Sequence, residues 1–474
     1  MQKRLFNPVS ARHTGQMKCI FVTLGLILTL LSPVPAQAHV SEQGFVLLLP
    51  TGVYTAAGVA AVALTVLALF AVPAGAIRLL FAHHPLAGLN LVRSQQITSL
   101  LSLICLIFVL YLGFDGPRSP LKNLMPLSFW TLGWVMAISL SGVLGNLWAW
   151  INPWTGLYHL LGPLPPVWQL PARLGQWPAV ALLLGFAAFL LADLAPDDPT
   201  RLAQFVGLYW FVNFAGLLLF GPGWLRQVEL GHAIFAAYAS LAPLRLTDGA
   251  GIGGPGWRML ADVPARAAGV FALCLLAVGS FDGINETFWW LGKIGVNPLE
   301  FPGRSAVVWA TLGGLVLTCA GLLAVFAAAV WLGLRLARRQ VAFATAFGWL
   351  ALSLLPIALV YHIAHYLTSF LVQIQYTISA LSDPFARGAD WLGIQPFRVT
   401  TGFFNSIGTV RMIWTTQAGL VVLGHVWSVL LSHRIALRLF GQNRRAALAT
   451  LPLSVFMIAY TLLGLWLLAA PRGA

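Results

Sequence analysis

Residues 306–333 read AVVWATLGGLVLTCAGLLAVFAAAVWLG, a run without one charged side chain. About 20 apolar residues carry a helix across the hydrocarbon core of a bilayer, so this run predicts a transmembrane helix. The same pattern recurs on both sides of it, near 53–72, 95–113, 126–147, 177–194, 203–221, 265–280, 342–379, 411–433 and 449–469. Together these runs predict an all-α polytopic bundle of about ten transmembrane helices. Nothing of domain size separates them, so residues 39–474 read as a single helical membrane domain. The longest connection, 222–264, contains GAGIGGPG at 249–256. With no strand and no G-K-[ST] beside it, this stretch reads as a flexible loop rather than a phosphate cradle. The run 342–379 is nearly twice the length of one span. It reads as one long helix bent at Pro356, because splitting it would move the arginines of 434–445 to the acidic side.

Composition agrees. Hydrophobic residues make up 59% of the 474 and charged residues 8%, against about 45–50% and about 25% in soluble chains. A soluble enzyme, a disordered chain and a fibrous protein are excluded. The balance of 27 Lys and Arg against 13 Asp and Glu gives +14. In an apolar chain this excess points to a cytoplasmic face and anionic headgroups, with the bilayer rather than nucleic acid as partner. The cysteines Cys19, Cys105, Cys274 and Cys319 lie in apolar runs without C-x-x-C spacing, so neither a disulfide framework nor a thiolate zinc site is expected.

Residues 17–38, MKCIFVTLGLILTLLSPVPAQA, have the basic start, short apolar core and small-residue end of a signal peptide. Cleavage after Ala38 removes 1–38 and leaves His39 as a mature N-terminus outside the cytoplasm. Alternating spans then put Arg335, Arg338, Arg339, Arg434, Arg438, Arg444 and Arg445 inside, as the positive-inside rule requires. Ten of the thirteen acids fall outside.

Within the long run, LPIALVYHIAHY (355–366) carries the densest polar chemistry. At 100° per residue, His362, His365, Tyr366, Ser369, Gln373 and Tyr376 share an arc of about 100°. Polar side chains in a membrane face the bundle or a wet cavity; the plainest reading is interhelical hydrogen bonding. Two FDG phrases, Phe114–Gly116 and Phe281–Gly283, place Asp115 and Asp282 where other helices emerge on the same side. Singly, each aspartate reads as a turn residue, and so does Asp383. With the histidines, Asp115 and Asp282 form a carboxylate–imidazole set suited to a divalent metal ion whose identity the residues do not specify. His39 adds a terminal amine and an imidazole to that set. His425, on its own stripe with Gln417, Ser428 and Ser432, is a remote candidate for haem ligation with His362 or His365. Serine-hydrolase, ATPase and nicotinamide motifs are absent from the sequence.

The strings YHIAHY (361–366), SDPFARGADWLG (382–393), SFDG (280–283), LKNLMPLSFWTLGWV (121–135), NLWAWINPW (146–154) and TLLGLWLLAAP (461–471) resemble a family of multi-pass bacterial membrane proteins named for fenitrothion hydrolase. The resemblance runs over nearly the whole mature chain. It implies an inner-membrane protein that hydrolyses a hydrophobic organophosphorus triester to a phenol and a diester, with a second related membrane subunit. On that expectation His362 and His365 hold the metal. Asp282 or Asp115 completes the shell or acts as general base, and Tyr366 donates to the developing charge. The same residues also suit a metal-handling or small-solute transporter, or a non-catalytic subunit of a larger complex.

Overall fold

The computed structural model describes residues 45–472 except 163–164, 247–248, 261–263, 266, 301–302 and 339–340. The expected signal peptide and His39 lie outside the described residues. Each apolar run becomes a helix: α1 Thr51–Ala71, α2 Val92–Asp115, α3 Leu124–Leu144, α4 Trp177–Ala192 and α5 Pro199–Phe220. A short α6, Leu230–Ala239, precedes α7 Ala268–Asn285, α8 Arg304–Leu336, α9 Phe343–Leu352, α10 Leu355–Ser382, α11 Ile407–Phe440 and α12 Asn443–Ala469. The helix starts are marked locally. Asp198 accepts the Arg201 amide with Pro199 in the first turn, and Ser406 accepts the Thr409 amide. Glycines in the left-handed region, such as Gly441, close the ends.

Among the described residues nine segments are long and apolar enough to cross a membrane, α9 and α10 counting as one. The tenth crossing follows from connectivity. Val46 and Leu47, near the described start, and Leu468 and Arg472, near the described end, line one cavity. The first and last described residues therefore lie at the same end of the bundle, which takes an even number of crossings between them. The 16-residue α4 supplies the missing one. At 1.5 Å per residue it spans about 24 Å, and its C-terminal Leu190 reaches the same cavity.

Two expectations change. The long run is not a continuous bent helix: it breaks at Ser353–Leu354, and Pro356 sits in the first turn of α10. Proline lacks the amide that a helix interior needs but that the first turn leaves free. The glycine-rich loop is not without structure either. Strands β1 His83–Pro85, β2 Leu244–Arg245 and β3 Gly251–Gly253 form a small antiparallel sheet in the order β1-β3-β2, with His83 opposite Gly253 and Leu244 opposite Ile252. The glycines here serve close approach, since a Cβ on Gly254 would stand 1.8 Å from the Leu80 carbonyl oxygen.

Helix α7 is the most enclosed span, with 72% of its apolar window buried against 17% for α2. Helix α10 is wedged beside it. A Cβ on Gly142 of α3 would lie 2.2 Å from Leu359, and one on Gly424 of α11 would lie 2.2 Å from Val360. These two close contacts fix α10 immediately before its histidines.

Candidate functional site

The polar stripe of α10 faces the last turn of α7. Helix α7 runs past the expected end at 280 as far as Asn285, so Asp282 is a helical residue packed inside the bundle. Its Oδ2 accepts two hydrogen bonds, from Tyr366 Oη at 2.5 Å and from His365 Nε2 at 3.0 Å. The His365–Asp282 contact is charge-assisted on the carboxylate side. It also fixes the tautomer of a neutral imidazole, with the proton on Nε2 and a lone pair on Nδ1. That Nδ1 is buried and has no hydrogen-bond partner among the described residues. The ring stacks within 10° of Tyr361, one helical turn earlier.

His362 is held differently. Its Nε2 donates to the Trp134 carbonyl at 2.9 Å, and Trp134 packs edge-on against its ring. Trp134 belongs to a π-helical stretch, Leu127–Ala137, inside α3. There the Ile138 amide reaches past Trp134 to Gly133, and His362 takes up the Trp134 carbonyl. Wide turns of this kind concentrate at functional positions.

Two cavities meet at this cluster. A cavity of about 640 Å³ is walled by Trp130, Trp134, Trp414 and Gln373 and reaches Asp282, His365 and Tyr366. Its rim carries Asp197, Glu286, Arg304 and Arg472. Arg304 bonds the Leu190 carbonyl at 3.0 Å, and Arg472 lies 4.0 Å from Glu286. Behind the cluster lies a chamber of about 20 Å³ that reaches His362, Tyr361 and Tyr238.

The expected site is thus partly assembled. Asp282, His362, His365 and Tyr366 line one place, whereas Asp115 does not join them. Its carboxylate accepts from Tyr111 Oη at 2.9 Å, and Tyr111 packs against Phe385, beyond α10. It is an end-of-helix residue, as the plainer reading has it. Asp383 is a loop organiser that accepts the amides of Arg387 and Gly388. Desolvation pushes its carboxyl up, but the amides of Arg387, Gly388 and Ala389 outweigh it and hold the group below the usual carboxylate range. His425 bonds the Val421 carbonyl in its own helix and faces Tyr460, on neither cavity wall. Tyr366 gives its hydroxyl proton to Asp282, so it is not free to donate to a substrate.

The donor set does not fit the expected metal. Among the described residues no three His, Cys, Asp or Glu side chains converge as ligands. His362 commits Nε2 to a backbone carbonyl, and His365 Nε2 and Asp282 Oδ2 bond each other. His39 lies outside the described residues. Sequence reading also missed Tyr361, Glu286 and Arg472. Glu286, four residues after Asp282, and Tyr361, four before His365, are the two that helical periodicity could have found.

No family model, curated protein or solved structure matches the chain.

Proposed function

We propose that this is a membrane-embedded hydrolase of lipophilic organophosphorus triesters in which His365, oriented by Asp282, is the general base. One observation carries the reading: a histidine bonded through Nε2 to a buried carboxylate keeps an Nδ1 without a partner among the described residues, on the lining of a cavity of ligand size. Asp–His pairing of this kind orients the ring and stabilises the imidazolium once it forms. In the step, His365 Nδ1 takes a proton from water and the water oxygen bonds to phosphorus. The bond from phosphorus to the aryl oxygen breaks, and the aryloxide leaves with the electron pair. The proton on His365 then passes to the departing aryloxide, giving the phenol, or to solvent. Tyr366 supports the base by donating to the same Asp282 oxygen. The three tryptophans in the cavity wall suit an aromatic, uncharged substrate drawn from lipid. The family resemblance supplies the ester class and the bacterial inner membrane. The arginine-rich end faces the cytoplasm on this reading, with the cavity and the mature N-terminus outside.

The test is release of nitrophenol from a phosphorothioate triester by membranes carrying the chain, with and without a co-expressed related membrane subunit. His365→Ala and Asp282→Asn should each lower kcat by roughly 10²–10⁴-fold. Chelation should leave the rate unchanged, because the base is an imidazole. Hydrolysis by His365→Ala at the wild-type rate would overturn the assignment, and so would chelator-sensitive activity with stoichiometric metal. Should the wild type release nothing in either background, the transport reading takes its place. The inner chamber supports that second reading, since its lining continues from the cluster to Tyr238 on α6.

A further inference from the structure

The chamber behind the cluster has a composition that an apolar bundle does not need. Leu275, Leu276, Val278 and Ala358 form much of its wall, yet two buried polar atoms without partners among the described residues, Tyr361 Oη and His365 Nδ1, belong to residues that line it. A buried polar group left unsatisfied costs about 1–3 kcal/mol, and nearly all such groups in folded proteins find a partner in protein or ordered water. At about 20 Å³ the chamber clears the roughly 10–15 Å³ that one water occupies on this measure. It is far too small for a substrate. Both residues sit on one face of α10, four apart, with rings parallel to within 10° and centroids 5.7 Å apart. The Tyr361 hydroxyl is seated over Gly283, where a Cβ would stand 2.1 Å from the oxygen. Glycine at 283 therefore keeps Tyr361 in this place beside Asp282.

We infer that the chamber binds one ordered water, held between Tyr361 Oη and His365 Nδ1, and that this is the water His365 deprotonates. The donor pattern fixes the end of the water that meets His365. His365 Nε2–H is given to Asp282, so Nδ1 accepts a proton from the water. Tyr361 O–H then donates to the water oxygen, leaving one lone pair and one hydrogen for the adjoining cavity. Trp134, Leu190, Asp282, His365 and Tyr366 line both spaces, so the water lies at the inner wall of the substrate cavity. Tyr361 is a positioning residue in this scheme: it holds the nucleophile and exchanges no proton. The catalytic part of the inference rests on the hydrolase reading, whereas the water site does not.

The experiment joins a density map to kinetics. A map of the wild type in nanodiscs, at a resolution that shows other buried waters, should contain one peak within hydrogen-bonding distance of both atoms. Tyr361→Phe keeps the ring and removes the hydroxyl. It should lose that peak and lower kcat at least 10-fold with KM unchanged, because the substrate cavity is untouched. Gly283→Ala should displace the Tyr361 ring in the map and lose the peak as well. An empty chamber in the wild-type map overturns the water site. Wild-type kcat in Tyr361→Phe overturns the role of that water in the reaction. A wild type that shows the peak but hydrolyses nothing would sink the hydrolase reading and leave the water site standing.

Discussion

Glu229 shows how much of this bundle rests on single buried polar groups. It begins α6 and is fully buried. Its carboxylate accepts from Tyr209 Oη at 2.6 Å, Trp148 Nε1 at 2.8 Å, and the Gly231 and His232 amides at 2.7 and 2.6 Å. One side chain thus caps α6 and ties it to α5 and to the tryptophan-rich segment after α3. Glu229→Ala strands four donors, and at about 1–3 kcal/mol for each unsatisfied group the loss should reach about 3 kcal/mol or more. Glu229→Gln, which keeps one acceptor oxygen, should lose less. Denaturant unfolding in detergent measures both, and equal stability of Glu229→Ala and wild type would contradict this account. A glutamate at a helix N-terminus suits the helix dipole, but the sequence does not mark this position as a helix start. Its indole and phenol partners, 81 and 20 residues away, are not legible there either. For Asp282 the FDG phrase marks a polar helix end, and only packing brings His365 and Tyr366 to it.

At the scale of the element, helix contacts are set by where glycine removes a Cβ. Helix α8 carries two informative cases. A Cβ on Gly333 would stand 2.0 Å from the Ala449 carbonyl oxygen in α12, a contact that only backbone movement can relieve, whereas Gly321 has nothing within 4 Å. Gly333→Ala should therefore force α8 and α12 apart and cost about 1–3 kcal/mol, as overpacking does. Gly321→Ala should be neutral or gain up to about 1 kcal/mol through helix propensity. Thermal unfolding of the two variants in the same detergent separates them, and equal destabilisation would show that lost flexibility, not close approach, governs this helix. Both residues read alike in the apolar run 306–333. Which one meets a neighbour depends on rotation about the helix axis, and a helix apolar all round does not encode it. Pro356 marks a disturbance of the long run in the sequence, but packing decides that a new helix starts there, with the proline in its first turn, and not a bend.

For the whole molecule, most acids lie at the cavity end, where Arg304 and Arg472 join them. Arg335, Arg338, Arg434, Arg438, Arg444 and Arg445 lie at the end away from the cavity, and Asp193, Asp197, Asp198, Glu286, Asp383 and Asp390 lie at the cavity end. In a cysteine-free background, Leu47→Cys and Arg387→Cys should react with an impermeant thiol reagent in intact spheroplasts. Arg445→Cys should react only after permeabilisation. The reverse pattern would invert the proposed orientation. Opposite behaviour of Leu47→Cys and Arg387→Cys would remove α4 from the crossings. Sequence alone determined the bundle: apolar length is a local property of the chain, and each run that is long enough must satisfy its own backbone as a helix once water is excluded. The polar stripe on α10 was equally local, a matter of 3.6-residue periodicity. Tertiary structure alone decided which acid meets the stripe. Asp115 and Asp282 stand in the same local phrase, but α7 is packed against α10 inside the bundle and α2 runs along its exposed side. It also decided that His365 and Asp282 bond each other and that His362 bonds a backbone carbonyl. Those hydrogen bonds join residues 83 to 228 positions apart, and no periodicity within one helix can specify the partner on another.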